Sequence, residues 1–158
     1  MKRVEFSKTP DLINVPSTIL LDIDGTLLAD GDDIVPRYIV ETVSLMKENH
    51  IVFLVTNSGK IARRESVSEQ LGVSCVKSRY KKPNPKIIEK ISMDTEKPVV
   101  VIGDKMLTDG LFARYIEAEF LLVERITSRR DRFLIKLSYL IDDACSVCVR
   151  LARLLKKI

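Results

Sequence analysis

Thr18-Ile19-Leu20-Leu21-Asp22-Ile23 is a short apolar run interrupted by one acid, and Asp24-Gly25 turns the chain directly after it. A run of this length with β-branched residues at intervals predicts a buried strand. Ile51–Val55 predicts a second strand, Val73–Val76 a short third, Pro98–Ile102 a fourth and Phe120–Val123 a fifth. Helical patterns lie between them. Pro36 can open a helix to about Glu48, with Ile39, Val43 and Met46 at helical spacing. A second helix runs to about Gln70 and stops at Gly72. Pro85–Ile91 predicts a short helix, and Thr108 a cap for one over Asp109–Glu117. All-apolar strands alternating with helices predict a doubly wound α/β domain, its parallel sheet covered on both faces.

Ligands of such sheets bind at the carboxyl ends of the strands. Asp22 and Asp24 follow the first strand, Thr56 the second, and Asp104 and Asp109 the fourth. A parallel sheet brings these ends to one edge. Carboxylates gathered there repel one another unless a cation sits among them, and oxygen ligands favour Mg²⁺.

The stretch Asp22-Ile23-Asp24-Gly25-Thr26-Leu27 resembles the nucleophile motif of the haloacid dehalogenase-like hydrolases. Three more stretches follow in that family's order: Val55-Thr56-Asn57, Lys82-Pro83, and Gly103-Asp104-Lys105-Met106-Leu107-Thr108-Asp109. The resemblance covers roughly residues 18–124. It implies a capless haloacid dehalogenase-like domain and Mg²⁺-dependent phosphomonoester hydrolysis. Asp22 would attack phosphorus and form an aspartyl-phosphate. Asp24 would protonate the leaving oxygen and then activate water. Thr56 would hydrogen-bond the phosphoryl oxygens, and Lys82 would neutralise charge developing on them. Asp104, with Asp22 and the backbone carbonyl of Asp24, would hold Mg²⁺, supported by Asp109.

Only residues 28–35 separate the first motif from the first helix, which implies a short flap and an open site. Such a site admits a phosphate on a bulky group, or takes a lid from a partner. Within the family, the pattern is most similar to the small capless phosphatidylglycerophosphate phosphatases. Chain length, Val-Thr-Asn-Ser before Lys-Pro, and Leu121-Leu122-Val123 after the fourth motif carry this. The chain departs from that subgroup at Gly25, at Lys105 and at Arg114–Glu117. The similarity implies phosphatidylglycerophosphate as substrate, a place in phospholipid biosynthesis and a peripheral position on a membrane. The alternatives are a phosphatase of a nucleotide, small metabolite, nucleic-acid end or phosphoprotein. A non-catalytic scaffold docking through its C-terminal helix is an alternative of another class.

The 158 residues suit one catalytic domain, residues 1–127, with a basic amphipathic helical tail over 128–158. The formal net charge of +4 is too mild to argue for nucleic acid, and the aromatic residues do not interleave with a basic run. From Arg125 onward, nine basic residues face three acids. Ser128–Ile158 has no Gly or Pro. Phe133, Leu134, Leu137, Ile141, Ala144, Cys145, Cys148, Leu151, Ala152 and Leu155 form a broad stripe. Two readings stay open: an interfacial helix attracted to anionic lipid, or a helix packed on the sheet, a second copy or another protein.

No stretch of 18 uncharged apolar residues is present, so no transmembrane span is expected. The polar Met1–Pro16 segment does not resemble a secretory signal, and three cysteines argue against a disulfide scaffold. The expected location is intracellular: cytoplasmic, or peripheral on a membrane, including a mitochondrial one. Cys145 and Cys148 read as core packing, and His50, between a helix and a strand, as non-catalytic. Arg63-Arg64 and Lys77–Lys82 suit either an anionic substrate or a solvated surface.

Overall fold

The computed structural model describes residues 2–91, 96–128, 136–145 and 147. Five strands, β1 (Thr18–Leu21), β2 (Ile51–Leu54), β3 (Ser74–Cys75), β4 (Val99–Gly103) and β5 (Glu119–Leu122), form one sheet. Their order is β3-β2-β1-β4-β5, and every pairing is parallel. The helices are α1 (Arg37–Asn49), α2 (Ile61–Leu71) and α3 (Leu111–Tyr115), with a 3₁₀ segment at Pro85–Lys90. The chain builds outward from β1 to β3, then crosses back to lay β4 on the other side of β1. That reversal opens a crevice at the carboxyl ends of β1 and β4.

Register explains why the strands are apolar throughout. Ile19 pairs with Val52 and Val100, and Leu21 with Leu54 and Ile102. These six share one core with Ile39, Val43 and Met46 of α1 and Val67 and Leu71 of α2. Leu20 and Val101, one residue out of phase, enter a second core with Ile87, Phe112 and Ala113. With a side-chain period of two, both faces need apolar residues. Gly72 ends α2 in the left-handed region, at φ +58°.

One segment differs from the sequence reading, and two others add to it. Thr108 caps no helix; its Oγ1 donates to Asp109 Oδ2 at 3.3 Å. The chain after β4 instead makes one wide turn, in which Gly110 N–H donates to Lys105 O, five residues back, at 3.1 Å. That turn aims the Asp109 carboxylate inward, where it accepts from Lys105 N–H at 3.2 Å. The polar N-terminal stretch is also structured. Two 3₁₀ turns, Phe6–Lys8 and Pro10–Leu12, bring Phe6 and Ile13 into the α1 side of the core. Val4 then pairs with Val123 beyond β5. Finally, residues 136–145 are helical and rest on the domain through buried Tyr139 and Asp142, while Leu137, Leu140 and Ile141 are exposed. Packing on the domain therefore describes one face of this helix.

The rest of the predicted tail lies outside the described residues: Phe133, Leu134, Cys148, Leu151, Ala152, Leu155 and the basic residues at 129, 130, 132, 150, 153, 156 and 157. Cys145 is half-buried. Among the described residues, no helix is long and apolar enough to cross a membrane. His50 has a structural partner, since its Nδ1 accepts from Ser17 N–H at 3.1 Å, and burial lowers its pKa.

Phe6 tests whether the N-terminal turns belong to the core. Phe6→Ala is expected to lower unfolding free energy by about 3 kcal/mol in urea titrations, the range for a buried aromatic. A change under about 0.5 kcal/mol would place the segment outside the cooperative unit.

Candidate metal centre

Asp22 leaves β1 with its N–H donated to Ile102 O at 3.0 Å, so the β1–β4 ladder holds its backbone. The chain then turns tightly, Gly25 N–H donating to Leu28 O at 2.7 Å. Gly25 sits at φ +87°, and a Cβ there would stand 2.7 Å from Asp104 Oδ2. Glycine thus meets two demands at once, a backbone conformation and a close approach. Gly103 is crowded in the same way by the Asp109 carboxyl.

These approaches gather Asp22, Asp104 and Asp109, all buried, with carboxylate oxygens within 4.8 Å of one another. Three such oxygen donors can hold a metal ion. Two protein cations also reach them. Lys82 Nζ lies 2.7 Å from Asp22 Oδ1 and 2.5 Å from Asp109 Oδ1. Arg125 Nε lies 2.6 Å from Asp104 Oδ2. Asn57 fixes the Lys82 backbone: its Oδ1 accepts from Lys82 N–H at 2.7 Å, and its Nδ2 donates to Lys82 O at 2.9 Å.

The electrostatics follow from burial. Desolvation pushes the Asp22 carboxyl up to about 7; Lys82 opposes this, while Asp109 and Asp104 add to it. Burial likewise raises Asp104, reinforced by Asp109 and opposed by Lys105 and Arg125. Burial alone would lower the Lys82 ammonium, but Asp109 and Asp22 outweigh it and hold its pKa above the ordinary value.

Asp24 stands apart from this cluster. Its Oδ1 accepts from Arg63 at 2.6 Å, and its Oδ2 faces the Thr56 hydroxyl at 3.5 Å. Thr56 Oγ1 in turn accepts from Ser58 N–H at 3.0 Å. Arg63 is no solvated surface residue. It is buried and also donates to the carbonyls of Asp32 and Ala29, at 2.9 and 3.2 Å. It thereby fastens the short flap to α2. Gln70 adds a second fastening by donating to Asp33 O and accepting from Val35 N–H, both at 2.8 Å.

A cavity of about 310 Å³ opens over these groups, lined by Asp22, Asp24, Thr56, Lys82, Lys105 and Tyr139 among others. Asp104 and Asp109 are fully buried. Asp22, Asp24, Thr56, Lys82, Asp104 and Asp109 thus all lie in or against this cavity. Arg125, Asn57 and Tyr139 were missed as contributors. Arg125 reads in sequence as the first residue of a basic stretch, and Tyr139 lies off the apolar stripe of the tail. Nothing local to either marks its partner.

No family model matches the sequence. No curated protein matches it. Among solved structures, it is similar to a chain in "Structure of the Pnkp1/Rnl/Hen1 RNA repair complex", at 16% identity and a TM-score of 0.47. The alignment covers 70% of this chain and 43% of that one. The chain therefore spans under half the length of that neighbour, and so distant a likeness carries no argument about activity.

Without metal, the buried carboxylates give a signed pH dependence. The native state keeps a proton on Asp22 up to pH about 7, whereas an unfolded Asp releases it near its ordinary value of 3.8. Stability of the metal-free protein is therefore expected to fall as pH rises from about 4 to about 7. Thermal melts in chelator should show that fall, and added divalent cation should reduce it. A melting temperature that rises over this window, with and without cation alike, would refute the assignment.

Proposed function

We propose that the chain is a Mg²⁺-dependent phosphomonoester hydrolase working through an aspartyl-phosphate on Asp22. The observation that carries this reading is convergence. Asp22, Lys82 and the pair Asp104 and Asp109 come from three separate stretches of sequence, yet they form one buried charge cluster against a cavity that also presents Asp24 and Thr56. The donor set fits Mg²⁺, a hard cation that prefers oxygen. Asp22, Asp104 and the backbone carbonyl of Asp24 would hold it, with Asp109 in support. Bound there, it would screen the anionic nucleophile from the anionic ester.

An Asp22 carboxylate oxygen attacks phosphorus, and the bond from phosphorus to the leaving oxygen breaks. Asp24 gives that oxygen a proton. Arg63 holds Asp24 Oδ1, which leaves Oδ2 for the proton. Water then attacks the phosphoryl group, Asp24 takes the water's proton, and phosphate leaves with Asp22 restored. Lys82 sits on Asp22 and offsets charge on the transferring oxygens. Thr56 hydrogen-bonds those oxygens. Residues 1–127 carry all these groups, and the further tail would set where the protein works.

The substrate phosphatidylglycerophosphate rests on the sequence pattern alone. The test is phosphate release with Mg²⁺ from phosphatidylglycerophosphate in mixed micelles, beside soluble nucleotide, sugar, nucleic-acid-end and phosphopeptide esters. Asp22→Asn is expected to cut turnover at least roughly a thousandfold without loss of fold. Chelator should abolish activity, and Mg²⁺ should restore it. Selective release from the lipid supports the phospholipid role. Release from soluble esters alone keeps the hydrolase and discards the lipid. A folded wild-type protein inert on the whole panel overturns the hydrolase reading.

A further inference from the structure

Arg125 joins the metal centre to the C-terminal helix. Its side chain is 7% exposed, and all three guanidinium nitrogens are engaged. Nε donates to Asp104 Oδ2 at 2.6 Å, and one terminal nitrogen to the Asp104 carbonyl oxygen at 3.2 Å. The same nitrogen reaches Asp142 Oδ2 at 3.3 Å, and the other reaches Asp143 Oδ1, also at 3.3 Å. The Tyr139 ring covers the guanidinium at 4.2 Å. Backbone geometry brings Arg125 here. Val123 N–H donates to Gly103 O and Ile126 N–H to Gly25 O, so the chain after β5 runs back across the turn beneath Asp104.

Asp142 makes a second connection. Its Oδ1 accepts from Leu107 N–H at 2.8 Å, inside the wide turn that delivers Asp109. One carboxylate on the helix, 1% exposed, thus holds both the Arg125 that grips Asp104 and the loop that carries Asp109.

We propose that Arg125 is a positioning residue for Asp104, and that Asp142 of helix 136–145 holds Arg125 and the Asp109 turn in their metal-binding arrangement. This rests on reading the three-carboxylate cluster as a metal site. The planar guanidinium binds both the side chain and the carbonyl of Asp104, which fixes the carboxylate's rotation. It takes Oδ2 and leaves Oδ1, which faces the Thr26 hydroxyl at 3.5 Å, for a cation. A lysine at this position would supply charge without the plane. The helix is then part of the site: with it undocked, Arg125 and the turn that carries Asp109 each lose an anchor. A competing arrangement, in which Arg125 merely occupies the cation's place, predicts the opposite sign, because removing the guanidinium would then tighten metal binding.

The test titrates the full chain with Mn²⁺, read by electron paramagnetic resonance and calorimetry well below the melting temperature. Arg125→Lys and Asp142→Ala are expected to weaken Mn²⁺ binding roughly tenfold or more, the range for groups that orient metal ligands. Asp142→Asn keeps an oxygen for Leu107 N–H and is expected to lose less than Asp142→Ala. Leu140→Ser, on the exposed side of the same helix, is expected to bind as wild type does. Circular dichroism without metal shows which variants are folded. If Arg125→Lys does not fold, the Asp142 pair decides. A wild-type chain that binds no Mn²⁺ overturns the metal site and this inference with it. Wild-type binding with unchanged or tighter binding in the folded Arg125 and Asp142 variants overturns this inference alone.

Discussion

Three carboxylates whose oxygens lie within 4.8 Å of one another repel strongly once water is removed. At an effective dielectric constant near 20, each ionised pair at that distance costs roughly 3–4 kcal/mol. Most of the local architecture answers that repulsion. Lys82 bridges two of the acids and Arg125 grips the third. Two protein cations against three carboxylates leave an excess of negative charge when all are ionised. That excess would favour a divalent cation, and it adds to the desolvation that raises the Asp22 pKa in the protein alone.

Each balancing cation is itself held by a remote element. Lys82 lies on the loop after β3 and is pinned through its backbone by Asn57, which follows β2. Arg125 lies after β5 and is pinned by Asp142 and Tyr139 of the C-terminal helix, while Arg3 of the N-terminal arm meets Asp143 at 2.7 Å. The two ends of the described chain therefore meet at the edge of the site. The N-terminal arm and the helix both reach it, although neither carries a carboxylate of the cluster.

The flap shows the same principle on the other side of the cavity. Its brevity suggested an open site. Arg63 and Gln70 of α2 hold residues 29–35 in place, and Tyr139 also lines the cavity. Access is thus shaped from within the chain by residues the motifs do not include. Arg63 also ties the flap to Asp24, so a disturbance of one reaches the other.

The alternation of apolar strands and helices was legible in the sequence because a sheet buried on both faces imposes a local pattern, residue by residue. The site acids were legible for a related reason. A parallel sheet delivers the residues after each strand to one edge, so Asp22, Asp24, Thr56, Asp104 and Asp109 could be placed together from strand positions alone. Tertiary structure decided the rest. Phe6 in the core, Arg63 against Asp24, and Arg125 between Asp104 and Asp142 each join segments far apart in the chain. An arginine looks the same in sequence whether it faces solvent or a buried carboxylate. Only the packing that removes water, and so makes an unpaired charge costly, determines which it is.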